Sequence, residues 1–420
     1  MHIFADMKKF PLLVLTLFAL ITIRLSVHAQ KKSAVGVHIY RAELIRADSN
    51  RVVFQIEERR DKGRTVWYFL NAGERLEARN ILERADSIFV EMPFFESAFE
   101  GCRQKDGTLT GIWRKGTSTK ELIVPFVAVP KGGARFSASK GKACYDIQGK
   151  WRSEIISPDG SKEEAILQLR QKANKITGSF VINSGDFRYL EGIVTGDSLL
   201  LSTFDGSHAY FFSAHILNAS TIVDGKFIAG AIAKRTWSAV RDAKASVDLE
   251  ETAAHLRPGE SRLDFRFPDL DSNLVSINDE RFKGKVVVIQ IMGSWCPNCV
   301  DETAYLSQYY KLNRQRGVEM IALAYEYSSD FARSVRSLRK FQERFAMDYP
   351  ILVTGVNVGD SLKTEKTLPQ LTPIKTFPTT IFVGKDGQVK KIANDFFGPA
   401  TGEYYERYKQ DFEATIRELL

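Results

Sequence analysis

Cysteine and histidine are scarce in this chain, four of one and six of the other in 420 residues. So few cysteines over such a length exclude a small domain stapled by disulfides. The histidines are His2, His28, His38, His208, His215 and His255. The region after His255 therefore has no imidazole to complete a zinc site or to ligate a haem. No dense lysine and arginine tract interleaved with aromatics occurs, and a net charge of +8 is modest at this length. Nucleic acid is not an expected partner. The longest N-terminal apolar stretch also falls short of the roughly 20 residues that cross a bilayer.

That stretch reads instead as part of an export signal over residues 1–29. Lys8 and Lys9 give a positive start, residues 10–23 are apolar, and Val27-His28-Ala29 offers small residues for cleavage before Gln30. An uncleaved anchor is the alternative. The first cysteine is Cys102, so none stands near the cleavage point to carry a lipid. Export to the periplasm or cell envelope is expected. In such an oxidising compartment Cys102 and Cys144 can pair, which the chain-entropy model values at ~4 kcal/mol, or remain two free thiols.

Residues 30–240 are dominated by short alternating runs such as 65–70, 87–91, 175–181 and 198–202, separated by turn signals including Asp106-Gly107, Ser184-Gly185-Asp186 and Asp205-Gly206. Many short strands at close spacing imply an all-β domain, barrel or sandwich. Residues 86–113 weakly echo residues 197–230, each joining an Asp-Ser-apolar strand to a later glycine-bounded one. Residues 241–257 are charged and without alternation, and read as a linker. From 258 to 420 strand-like and helix-like patterns alternate, which argues an α/β sheet with both faces covered. In the β domain, aromatics such as Tyr189, Phe204, Tyr210, Phe211 and Phe212 read as core, and His208 as a packed or capping residue.

The chemistry concentrates in Trp295-Cys296-Pro297-Asn298-Cys299, which follows the apolar run 285–291 and opens a helix. A thiol at a helix start faces unpaired N–H groups that stabilise its thiolate. The second thiol lies one turn on, placed to close a ring with the first. Zinc would need further ligands that the region lacks, and covalent haem would need histidine where Val300 stands. A dithiol that attacks a partner disulfide through Cys296 and resolves through Cys299 is the reading that follows. Glu302 shares a helix face with Cys299. In an apolar setting its carboxylate would have a raised pKa and could take the Cys299 proton; on the surface it would be an ordinary solvated residue, as Asp301 beside it is expected to be.

With Gly284-Lys285-Val286-Val287-Val288 before the site, Glu302 after it and Phe377-Pro378-Thr379-Thr380-Ile381-Phe382 further on, residues 258–420 resemble the thioredoxin superfamily, and within it exported disulfide reductases of the TlpA/ResA type. The resemblance implies a cis proline at Pro378 facing the sulfurs. It also implies substrate contacts through Trp295, Phe377 and Pro378, and a functional acid at Glu302. Residues 367–371 and 397–402 look like TlpA-like proteins of Bacteroidetes-type bacteria, which commonly carry an extra N-terminal β domain. Asn394-Asp395 departs from the His-Thr-like pair expected there.

The expected architecture is thus a thioredoxin-like α/β domain preceded by an all-β domain, with no cofactor and no metal. Expected partners are disulfide-containing client proteins and a membrane thiol electron donor. Two other readings stay open: a binding or scaffold protein acting through its β domain, and a peroxiredoxin-type peroxidase. The latter lacks support in Cys296 itself, which stands where that chemistry would place a threonine.

Overall fold

Period-two alternation makes strands of the N-terminal half. In Gly149–Ile156, for instance, Trp151, Ser153 and Ile155 are buried while Arg152 between them is exposed. The computed structural model describes residues 36–420, and the expected export signal lies outside them. The first nine strands are β1 (His38–Ile45), β2 (Arg51–Asp61), β3 (Arg64–Asn71), β4 (Glu74–Ala78), β5 (Asn80–Arg84), β6 (Ser87–Glu91), β7 (Ser97–Arg103), β8 (Leu109–Gly116) and β9 (Glu121–Pro130). They pair in the order β4-β3-β2-β1-β9-β8-β7-β6-β5, and the sheet curls until β5 lies beside β3.

A second set of nine follows: β10 (Gly149–Ile156), β11 (Lys162–Lys172), β12 (Lys175–Ile182), β13 (Gly185–Asp186), β14 (Leu190–Thr195), β15 (Ser198–Phe204), β16 (Ala209–Asn218), β17 (Thr221–Ala229) and β18 (Ala233–Arg241). Here β13-β12-β11-β10-β18-β17-β16-β15-β14 is the order, and β14 pairs back onto β12 to close the barrel. Shifted by nine strands, the two orders are the same. The sequence echo falls on equivalent strands, β6 with β15 and β8 with β17. The all-β region is two barrel-like sheets of one plan.

Aromatic side chains fill both interiors: Phe54, Trp67, Phe69, Phe99 and Trp113 in the first, Trp151, Phe180, Phe212, Phe227 and Trp237 in the second. Phe204 of β15 packs in the first barrel instead, with its ring centroid 4.4 Å from Phe54 and 5.5 Å from Phe99. The two barrels therefore share core. Cys102 is exposed on β7 and Cys144 is exposed in the connection before β10, beside Gly196. The pairing that their number allows is not formed, and both are free thiols.

The C-terminal unit opens with a hairpin, β19 (Arg266–Pro268) and β20 (Leu274–Ser276). Its main sheet comprises β21 (Val286–Met292), β22 (Val318–Ala324), β23 (Ile351–Val353), β24 (Thr379–Val383) and β25 (Val389–Ala393), in the order β23-β22-β21-β24-β25. The first three run parallel, and β24 and β25 are antiparallel additions. Helices α1 (Pro297–Asn313), α2 (Phe331–Phe345), α3 (Lys363–Thr367) and α4 (Glu403–Leu419) connect or follow these strands. All of β21 is buried, as a central strand covered on both faces must be. Between β18 and β19 the chain is tied to this sheet. Asn394 donates to Leu249 O and Thr252 Oγ1, each at 3.0 Å, and the Arg257 N–H donates to Gln370 O at 2.8 Å.

The three units meet at Arg188, which follows β13. Its guanidinium is fully buried and bonds Glu74 of the first barrel at 2.7 Å, Asp205 of the second at 3.3 Å, and Asp301 of α1 at 2.8 and 2.9 Å. A buried cation removed from such a cluster leaves its carboxylates unpaired in a poorly solvated site. Arg188→Met is expected to cost about 3–5 kcal/mol, read as a fall in the urea unfolding midpoint. Arg333→Met, at a half-exposed pair with Glu96, is expected to cost under about 1 kcal/mol. Equal shifts for the two would contradict the assignment.

Candidate redox site

The site stands where β21 ends and α1 begins. Cys296 is extended (φ −98, ψ 112) and caps the helix, Pro297 takes the first helical position, and the Cys299 N–H points at Cys296 Sγ from 3.1 Å. Proline suits that position because its missing N–H would have no helical partner. The two cysteines form a disulfide, their Cα atoms 5.2 Å apart. Cys299 is fully buried and Cys296 is 4% exposed. On reduction, the N–H that faces Cys296 Sγ and the helix N-terminus behind it both favour thiolate at that sulfur.

Glu302, one turn on, is buried and holds three hydrogen bonds. Thr380 Oγ1 (2.6 Å) and Tyr408 OH (2.8 Å) donate to Oε1, and Gln290 Nε2 (2.8 Å) donates to Oε2. Thr303 Oγ1 donates to Gln290 Oε1 at 3.0 Å and fixes which way that amide points. Burial pushes the Glu302 carboxyl above its ordinary range, against the three donors that favour the charged form. No hydrogen bond joins Glu302 to either sulfur. Its place is one helical turn below Cys299, in a buried setting that the sequence pattern alone only half suggested.

On the approach side, Trp295 Nε1 donates to Tyr325 O at 2.7 Å, and the indole stacks on Tyr327 at 5.3 Å and tilts against Phe377 at 5.4 Å. The Phe377 carbonyl oxygen lies 3.5 Å from Cys296 Sγ, and the Phe377–Pro378 peptide is cis. No local pattern singles out Glu326. Its oxygens accept from Ser294 N (2.8 Å) and Ser294 Oγ (2.6 Å), clamping the loop two residues before Cys296. Burial pushes its carboxyl up to about 7.

The second barrel reaches the same site. Asn298 Nδ2 donates to Asp186 Oδ2 at 3.0 Å, and the Gly398 N–H donates to the same oxygen at 2.6 Å. Asp186 N lies 3.4 Å from Asn298 Oδ1, and Ser207 Oγ lies 3.4 Å from Trp295 O. Gly185 (φ +139) must be glycine, because a Cβ there would sit 2.5 Å from Asn298 Oδ1. Burial pushes the Asp186 carboxyl up to about 6, with Asp301 adding to the shift and the Gly398 and Arg188 N–H groups opposing it.

Residues 257–405 match the Redoxin family. Over 150 residues the chain is 28% identical to the thiol-disulfide oxidoreductase ResA of Bacillus thuringiensis subsp. konkukian, covering 36% of this chain and 75% of that protein. The ResA of Geobacillus kaustophilus is 28% identical over 171 residues, which is 39% of this chain and 82% of that one. This region is a TlpA/ResA-like domain of the thioredoxin superfamily. Among solved structures, a thioredoxin-family thiol:disulfide interchange protein of Chlorobium tepidum is 17% identical, with a TM-score of 0.30, over 39% of this chain and 98% of that one. Over this region the chain is similar to thiol–disulfide oxidoreductases.

The structure brings Cys296, Cys299 and Glu302 together at the start of α1, with Trp295 next to the first sulfur's residue, the Phe377 carbonyl against that sulfur and Pro378 following through the cis peptide. Asp301 is a correction. It is not a solvated surface residue, since its side chain is 12% exposed and paired with Arg188. The partner that buries it lies 113 positions earlier in the chain, out of reach of any local pattern. His208 stacks on Tyr210 at 4.6 Å and sits beside Asp205. Among the described residues no cluster of three or more His, Cys, Asp or Glu side chains could hold a metal.

A base must be ionised to act, and burial holds the Glu302 carboxyl above its ordinary range. The release of a partner from a mixed disulfide on Cys296 is therefore expected to slow as pH falls through that raised value. In Glu302→Gln the step is expected to be about a hundredfold slower at neutral pH and to lose that limb. Stopped-flow release of a preformed adduct checks it, and an unchanged profile would contradict the role.

Proposed function

We propose that this chain is an exported protein disulfide reductase acting on periplasmic or cell-envelope clients. The observation that carries the reading is the buried Cys299 paired to a Cys296 that caps α1 and receives the Cys299 N–H. In the reduced protein the Cys296 thiolate attacks one sulfur of a client disulfide, forms a mixed disulfide and displaces a client thiolate. Glu302 takes the Cys299 proton, and the Cys299 thiolate attacks Cys296 Sγ. The second client thiol leaves and the Cys296–Cys299 disulfide remains, so two electrons pass to the client. That oxidised form is the one seen here.

Trp295, Phe377 and Pro378 line the approach to the sulfur and supply the client contacts, with the Phe377 carbonyl as a backbone acceptor. Pro297-Asn298 carries no histidine to stabilise a thiolate further, which favours reduction over oxidation of clients. Return to the dithiol then requires a thiol donor, and at the membrane of an oxidising compartment a membrane thiol protein fits that need. Residues 1–29 serve as the signal, 30–240 as the β region and 241–257 as its connection to the reductase domain at 258–420.

Cys299→Ser removes the resolving thiol. The exported variant is expected to accumulate client adducts on Cys296 that appear on non-reducing gels, vanish with dithiothreitol and are identified by mass spectrometry. A Cys299→Ser chain with a native fold and no such adducts would remove the reductase reading.

A further inference from the structure

A thiolate that attacks a disulfide in another protein needs open space along the line of the bond it breaks. The start of α1 has little. Pro297 and Asn298 are buried along with both cysteines, although nothing in the α/β unit itself hydrogen-bonds the Asn298 side chain. What covers Asn298 is the turn at β13. Asp186 bonds its amide nitrogen at 3.0 Å, the Asp186 N–H faces its amide oxygen, and Gly185 leaves no space between them. The neighbouring turn of the same barrel brings Ser207 to the Trp295 carbonyl. Lys115 of the first barrel holds that turn from behind, donating to Ser207 O at 2.7 Å and Ser207 Oγ at 3.0 Å.

The anchors run through the partner groups as well. Gly398, on the loop before α4, donates to Asp186, and a Cβ on it would lie 2.7 Å from Asp301 Oδ2. Asp301 is itself held by Arg188. The side of the site that stays partly open is aromatic, with Trp295, Tyr327 and Phe377 each half-buried.

We propose that the turns at 184–188 and 205–208 of the second barrel form a resident cover that sets the specificity of the redox site. They admit a small or extended disulfide-bearing segment along Trp295, Tyr327 and Phe377 and exclude folded proteins. Asp186 and Asp301 are positioning residues of the cover: they touch no reacting sulfur and act by holding the barrel on the helix. The substrate class assigned here rests on the reductase reading, whereas the cover itself can be tested without any turnover.

The test uses the full chain with Cys299→Ser, so that Cys296 is the only thiol at the site. Cys102 and Cys144, exposed on the barrels, are the internal reference for uncovered thiols. Each is labelled with N-ethylmaleimide and with a maleimide on a long polyethylene glycol chain, and rates are read site by site by peptide mass spectrometry. Cys296 is expected to favour the small reagent over the large one by at least about tenfold more than Cys102 does, because the large one must wait for local opening. Asp186→Ala and Asp301→Ala are expected to bring that ratio to within about twofold of the Cys102 value. A Cys296 ratio equal to that of Cys102 in the parent chain overturns the cover outright, whatever the variants do. So does a ratio that persists in natively folded variants. Since labelling needs no client, this failure would leave trapped adducts intact, and a failed trap would leave the labelling ratio intact.

Discussion

One buried guanidinium holds this protein's parts in register. Arg188 lies in a region where its charge could not stand alone, and it is offset by carboxylates drawn from all three units. Burial pulls its pKa down, but Asp301, Glu74 and Asp205 outweigh that and leave it firmly charged. The reverse dependence is as strong. Burial pushes the Glu74 carboxyl up, and Arg188 is the cation that counters it. Such a cluster is weak evidence of net stability, since hydrophobic replacement can do as well. Its strength is geometric: it fixes where the barrels sit relative to α1.

That fixed position gives the redox site two carboxylates of different origin. Glu302 comes from the α/β unit and is surrounded by donors from β21, β24 and α4. Asp186 comes from the second barrel and faces the dipeptide between the cysteines. Both are pushed upward by burial, yet their proposed tasks differ: one handles a proton and the other holds a contact. The proposed dithiol chemistry uses only the first. The second is what the duplicated barrel adds, and it explains why a turn glycine and a loop glycine, Gly185 and Gly398, are packed against acidic and amide oxygens.

Much of the α/β unit was legible in the sequence because its signals are local. A run of buried residues marked β21, the Cys-Pro-Asn-Cys spacing marked the start of α1, and Phe377-Pro378 marked the strand that faces it. Glu302 could be placed on the right helix face from spacing alone, though not its burial, which depends on Tyr408 and Thr380. The barrels were legible as strands and, through the 86–113 and 197–230 echo, faintly as two copies. Closure depends on pairings such as β12 with β14 that no local run encodes. Asp186, Arg188 and Asp301 were missed for the same reason. Ser184-Gly185-Asp186 reads as an ordinary turn and Asp301 as a surface acid, and their bonds span more than a hundred positions. Single polar residues carry no periodicity to announce such contacts.

The docking of the second barrel on the dithiol helix is the claim on which the rest stands. Hydrogen exchange of the oxidised full chain, compared with Asp186→Ala, tests it most directly. The Gly398 N–H donates to Asp186 Oδ2, so peptides across 394–402 and 296–303 are expected to exchange faster in the variant. The buried strand Val286–Met292 is expected to keep its protection. Exchange at Gly398 and around Asn298 that is the same in both proteins would contradict the docking.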